Sequence, residues 1–255
     1  MYAINLTSKR YAALAGKIDT VIIPTGSFEA HGMHCPLGTD ILIPERMCRD
    51  LEAAAGGDFL IAPTVNYGYT PTLAGFPGTV TIPAETLISL YAEIGSCFVR
   101  WGAKNIVFMN GHGGNIAALT LACDKIAAAG GTALVISWWA TYSAEILKIC
   151  GTQGHAGEDE TSAVLALDVA GATGADGAAG GSLVDDAARS VHMRKVFCAP
   201  LSGPTQTKAR YPDAMNGDAT AATRGKGEKL YAMLLEKNLE YIGRLRRGEY
   251  TDPIA

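Results

Sequence analysis

Asn105-Ile106-Val107-Phe108-Met109-Asn110-Gly111-His112-Gly113-Gly114-Asn115 passes from a short apolar strand into a glycine-rich turn, and Ile116 to Ala129 continues as an alanine- and leucine-rich helix. The same order repeats on either side of it. Upstream, Val21-Ile22-Ile23 within Asp19 to Pro24 reads as a buried strand that stops at Pro24 and Gly26. Ile41, Met47, Leu51 and Ala55 then recur at helical spacing until Gly56-Gly57, and Phe59 to Ala62 forms the next strand. Pro63 to Gly78 holds three prolines and three glycines and is expected to be a long surface loop. Pro83 and Glu85 open a helix that runs to about Trp101. Downstream, Thr132 to Trp138 is a strand, Ser143 to Cys150 a helix, and Asp218 to Arg247 a long terminal helix whose late basic residues suit the helix dipole. Strands alternating with helices at these lengths give an α/β fold, a three-layer α/β/α sandwich with a mostly parallel sheet, expected as one domain over residues 1–255. The Ala/Gly tract from Ala170 to Gly181 is expected to be a loop or linker.

The 255 residues are 48% hydrophobic and 18% charged, with a net charge of −4 and no run of Lys or Arg, which excludes disorder and gives no footprint for nucleic acid. Six cysteines stand apart with no C-x-x-C pair, so neither a zinc ribbon nor a thioredoxin-type motif is present. Met1 to Arg10 lacks the pattern of a signal peptide and no apolar stretch is long enough for a membrane span, so the expected setting is cytoplasmic.

The chemistry concentrates after the predicted strands. Glu29, His31, His34 and Asp40 lie within twelve residues, His112 follows the strand that ends at Asn110, and His155 precedes Glu158-Asp159-Glu160 at a helix start. Of five histidines, only His192 lacks a glycine-rich setting. Carboxylates and imidazoles are ligands for zinc, manganese and iron. Glu29 and His31, two apart in an extended segment, project to the same side, and Asp40 has two oxygens with which to bridge two cations. The set supports two ions about 3.5–4 Å apart with an activated water between them. Glu160 or Glu158 completes the second ion, and His155 is left for proton transfer.

Other readings compete with this one. The loop after Asn110 is placed to cradle a phosphate at a helix N-terminus, but it matches neither G-x-x-x-x-G-K-[ST] nor G-x-G-x-x-G. Glu158 and Asp159 suit a helix N-terminus without any catalytic role. Trp138-Trp139 reads as core packing in preference to a substrate wall, and Tyr67 and Tyr69 either line a pocket or cover the core. A two-metal phosphoesterase would call for Lys or Arg beside its anionic substrate, and none lies within Gly26 to Asp40 or Asn110 to Asn115. A non-catalytic metal-binding sensor is a further class.

Pro24-Thr25-Gly26-Ser27-Phe28-Glu29-Ala30-His31-Gly32 through Pro36-Leu37-Gly38-Thr39-Asp40, Asn110 to Asn115, His155 to Ser162 and the loop Phe76-Pro77-Gly78-Thr79 together resemble the creatininase (creatinine amidohydrolase) family. That resemblance implies an α/β/α sandwich assembled as a homo-oligomer, a hexamer in the family, that hydrolyses a C–N bond, often in a ring or a formamide. It implies that Glu29, Asp40 and His112 are ligands of one metal, that His31 and Asp40 serve the other, and that His155 is the proton shuttle. Creatininase carries a glutamate ligand where this chain has Gly114. The second ion is therefore expected to draw on Glu160, whose Glu-Thr-Ser context is similar, so Glu160 joins His155 at the reacting centre. Creatininase also has a Trp-Asp pair where this chain has Gly151-Thr152-Gln153-Gly154, which argues against creatinine itself. The expected substrate is a small molecule, a lactam, cyclic urea or related small amide. Formamides and a small peptide are the alternatives within the family. The expected cofactors are two divalent ions, zinc or manganese, with iron compatible. The expected mechanism is attack on a carbonyl carbon by metal-activated water, with His155 protonating the leaving nitrogen. His34 is expected beside the cluster, not in it.

Overall fold

The structure, a computed structural model, describes residues 1–168, 174, 181–192 and 211–249. Its centre is a parallel sheet of β1 (Thr20–Thr25), β2 (Leu60–Ile61), β3 (Asn105–Asn110) and β4 (Thr132–Ser137), in the order β2-β1-β3-β4. Val21 stands opposite Ile106, and Val107 opposite Leu134. Every residue of β1 and β3 is buried, because both central strands are covered on both faces.

Alternation along those strands assigns the two layers. Ile22, Val107 and Met109 face one side, where they pack with α2 (Thr39–Ala55), α6 (Ser143–Ile149), α7 (Glu158–Leu165) and α8 (Arg224–Arg246). Val21, Ile23, Ile106 and Phe108 face the other, against α3 (Ala84–Arg100) and α4 (Ile116–Ala128). The α/β/α sandwich read from the sequence is therefore the observed fold.

Several boundaries differ from the sequence reading. A short α1 (Ser8–Leu14), capped by the Thr7 hydroxyl, was not anticipated, since it buries no residue and carries no apolar stripe to announce it. The terminal helix begins at Arg224, not Asp218. The Thr223 side chain accepts from the Lys226 amide and sets the start, while Asp218 belongs to β6 (Gly217–Asp218), antiparallel to β5 (Val191–His192). Helix α7 starts at Glu158, so the three carboxylates form its first turn, as the sequence indicates. At the end of β4 the chain turns directly into α5 (Trp138–Thr141). The Pro63 to Gly78 segment has no helix or regular strand, as expected, yet Thr70 and Leu73 within it are buried, so it is more than surface covering. The Ala/Gly tract lies outside the described residues apart from Gly174 and Gly181.

Candidate metal centre

Strands β1 and β3 are neighbours whose following helices, α2 and α4, pack on opposite faces of the sheet. Their outgoing loops diverge and leave a crevice at the carboxyl ends, the usual ligand position in such sheets. The β1 loop brings Glu29 and His31, the β3 loop brings His112, and the first turn of α2 brings Asp40. Pro44 has no N–H to offer the Asp40 carbonyl four residues before it, and Gly26 and Gly111 pack against that carbonyl instead. A Cβ at Gly111 would overlap it, so glycine is what lets α2 sink between the strand ends.

Asp40 lies at the centre of the cluster. Its Oδ1 is 2.9 Å from His31 Nε2 and its Oδ2 is 3.0 Å from His112 Nδ1. Glu160 Oε2 is 3.7 Å from His31 Nε2, and Glu29 Oε1 is 3.3 Å from His112 Nδ1. Two ligand groups result, Glu29-Asp40-His112 and His31-Asp40-Glu160, each with its atoms within 4.8 Å of one another. Both imidazoles are held by their other nitrogen. His31 Nδ1 donates to the Glu29 carbonyl at 3.1 Å and His112 Nε2 to the Tyr69 carbonyl at 2.9 Å, which leaves the cluster-facing nitrogens as the ligand atoms. Ser27 Oγ donates to Glu29 Oε2 at 2.7 Å and aims that carboxylate, whose Oε1 is buried without a hydrogen bond despite its nearness to His112. An orphaned buried carboxylate oxygen among nitrogen and oxygen donors fits a divalent cation.

The protonation pattern of His31, Asp40, His112 and Glu160 says the same. Burial alone would lower the His31 pKa, but Asp40, then Glu160 and Glu29, raise it to about 10. Burial likewise opposes the charge on His112, and Glu29 and Asp40 push it well above the ordinary value. Burial raises Glu160 to about 8 against the pull of His31. Burial also works against ionised Asp40, but His31 and His112 hold it well below the usual carboxylate range. Protons here do the work that cations would do.

His155 stacks on His31, with ring centroids 4.2 Å apart, and its Nε2 donates to the Ala30 carbonyl at 2.9 Å. Its Nδ1 lies 3.8 Å from Glu29 Oε1. Burial and then the His31 charge lower its pKa to about 4, so the ring is neutral. His155 also falls within reach of Glu29 and His31 as a third ligand group. Glu158 takes no part in the cluster: its carboxylate binds Lys226 on α8 and the Thr152 amide and hydroxyl. His34 is buried against Thr161, with Nε2 2.9 Å from Oγ1, and belongs to neither bridged group. His192 pairs with Asp213, away from the cluster.

Several supporting residues escaped the sequence reading. Asn110 uses its whole amide: Nδ2 donates to the His112 carbonyl and Ser137 Oγ, and Oδ1 accepts from the His112 amide and Thr25 Oγ1. Asn115 clamps the Gly26 carbonyl and the Tyr69 amide. The Tyr69 carbonyl lies where a Cβ at Gly114 would fall, which explains why no glutamate occupies that position in this chain. The one sequence signal for these was two asparagines flanking a glycine-rich histidine loop. A cavity of about 730 Å³ opens over the cluster, walled by Tyr69, Leu73, Trp139, Gln153, Asp159 and Tyr211 among others. Trp138 is buried core as expected, but Trp139 lines the cavity. Tyr69 is likewise a pocket residue, whereas Tyr67 is exposed beside Phe28.

Known proteins share this arrangement of chain. Residues 4–242 match the family model described as creatinine amidohydrolase. The mycofactocin precursor peptide peptidase of Mycobacterium tuberculosis is 30% identical over 248 residues, 94% of this chain and 91% of that one. A mutant creatininase of the Zn-Zn type has a TM-score of 0.81 at 25% identity, covering 96% of this chain and 97% of its own. A creatininase described as Mn also reaches 0.81, at 26% identity over 96% and 98% of the two chains. With the match spanning nearly its whole length and the fold and acid–histidine clusters in place, this chain belongs to the creatininase family of hydrolases acting on carbon–nitrogen bonds.

Proposed function

We propose that this protein is a metal-dependent amidohydrolase acting on a small amide. In this reading Glu29, Asp40 and His112 hold one divalent ion, and His31, Asp40 and Glu160 a second. The observation that carries it is Asp40, whose two oxygens address two different imidazoles from one buried carboxylate. Zinc and manganese suit the mixed nitrogen and oxygen donors and are the metals of the two solved relatives; iron suits them as well. Ions held there would supply Lewis acidity toward the substrate carbonyl and lower the pKa of water. The protein supplies the rest. His155 is neutral, with the proton on Nε2 fixed by the Ala30 carbonyl, so Nδ1 accepts a proton from the attacking water and returns it to the leaving nitrogen. Glu160, 8% exposed and held by the Ala156 amide, combines its ligand role with a place at the cavity wall beside the reacting centre.

Lactams, cyclic ureas and formamides are the first substrates to test. A small peptide is a second reading. It is favoured by the cavity of about 730 Å³, which lies within the range of about 300–1,000 Å³ for pockets that enclose a drug-sized ligand and exceeds what one small ring requires. Protein purified without added metal is expected to retain zinc, manganese or iron and to hydrolyse members of a panel of these amides, with no turnover of an aryl phosphate. Phosphate release without amide cleavage would reverse the assignment, and bound metal with no turnover at all would mark a sensor.

Two further results follow from the cluster. Glu160→Gln is expected to cost about one equivalent of metal by elemental analysis, while Glu158→Gln retains both and loses only its tie to Lys226. The reverse pattern would reassign the ligand. Loading zinc into metal-free protein at pH 7 is expected to release protons, because His31 and Glu160, at about 10 and about 8, hold them beforehand. Both values are raised, so affinity should weaken as pH falls below about 10, where His31 takes up its proton, and more steeply below about 8, where Glu160 does as well. Calorimetric titration in buffers of different ionisation enthalpy reads this directly, and a heat independent of buffer would contradict it.

A further inference from the structure

Asp159 is the carboxylate of the cavity that the metal cluster does not use. It is 1% exposed, lines the cavity, and belongs to none of the ligand groups. Its Oδ1 accepts from the Gly154 amide at 3.1 Å and its Oδ2 from Gln153 Nε2 at a long 3.4 Å, and the backbone N–H groups of Asp159 and Glu160 at the start of α7 add further support to the carboxylate. The other N–H of Gln153 Nε2 donates to the Trp139 carbonyl at 3.0 Å, and Gln153 Oε1 accepts from Ser143 Oγ at 2.6 Å. Trp139, Ser143, Gln153 and Asp159 are thus linked into one wall of the cavity, with Asp159 as its carboxylate. Among the described lining residues there is no Lys or Arg to neutralise this charge. Burying a carboxylate without a cation is costly, and the cost is offset when a ligand brings the cation.

We propose that Asp159, with Trp139 and Gln153, forms a subsite for a positively charged nitrogen on the substrate. The proposal rests on the amidohydrolase reading and specifies its substrate class: an amide bearing an ammonium or guanidinium group away from the scissile bond. The ammonium N–H groups donate to Asp159 Oδ2 in a charge-assisted hydrogen bond, and the Trp139 ring in the same wall offers an aromatic face for the cation. Gln153 keeps the carboxylate aimed into the cavity. This subsite sets specificity and takes no part in bond cleavage.

The test uses a matched pair of probes, N-formyl-1,4-diaminobutane and its neutral isostere N-formylpentylamine, with homologues one carbon shorter and longer. Equilibrium binding to the zinc-loaded protein and turnover are both measured. The ammonium member of the best-fitting pair is expected to bind about tenfold to a hundredfold tighter. Asp159→Asn keeps an oxygen for the Gly154 amide while removing the charge. It is expected to retain both metals and bring the ratio of the pair close to one, through binding. Equal or tighter binding of the neutral members to the unaltered protein overturns the proposal without recourse to the variant, as does a preference that survives Asp159→Asn. Preferential binding of the ammonium probe with no amide cleaved anywhere in the panel would leave the subsite standing and sink the hydrolase reading.

Discussion

Asparagine in place of Asp40 is expected to yield protein that folds, holds neither ion, and hydrolyses amide substrate on the order of 10³–10⁵-fold more slowly, the scale of several kcal/mol of lost charge stabilisation. The effect is large because one residue serves both positions. Without Asp40, Glu29 and His112 remain on one side and His31 and Glu160 on the other, two ligands each where stable sites use three or more. The asparagine amide still occupies the volume and can meet the imidazoles, so the first turn of α2 keeps its place between Gly26 and Gly111. Elemental analysis together with steady-state kinetics checks the prediction. Two equivalents of metal in Asp40→Asn would show that the ions lie elsewhere.

Alanine at His155 is expected to do the opposite to metal: both ions stay, and kcat falls about 10²–10⁴-fold, the usual contribution of a positioned acid–base group. His155 stacks on His31 and lies near Glu29, so its removal tests whether it is a shuttle or a ligand. Loss of one equivalent of metal would make it a ligand. Full activity would remove it from the reaction. Its neutral state, set by burial and the His31 charge, is what allows it to accept a proton near neutral pH, and a bound cation beside it acts in the same direction.

Much of the site was legible because its residues sit where chain direction forces them. A strand that ends at Thr25 and another at Asn110, parallel and adjacent, deliver Glu29, His31 and His112 to the same edge, and apolar runs plus glycine turns suffice to place those ends. The choice between Glu158 and Glu160 was not legible. Two residues apart on a helix point about 200° from one another, so the pattern shows that they diverge and not which of them faces Asp40. Packing of α7 against α8 decides it, turning Glu158 to Lys226 and Glu160 to His31. The same holds for Trp138 and Trp139, one sunk in the core and the other in the cavity wall.

By itself the sequence determined the α/β/α class, the edge of the sheet that carries the chemistry and the identity of the clustered acids and histidines, because strand period, turn residues and ligand types are local properties of the chain. Tertiary structure alone decided that Asp40 stands between His31 and His112, that the Tyr69 carbonyl fills the space beside Gly114, and that Asp159 is left facing the cavity without a cation. Each of these depends on segments far apart in the chain meeting at a particular distance, and no local pattern encodes a distance.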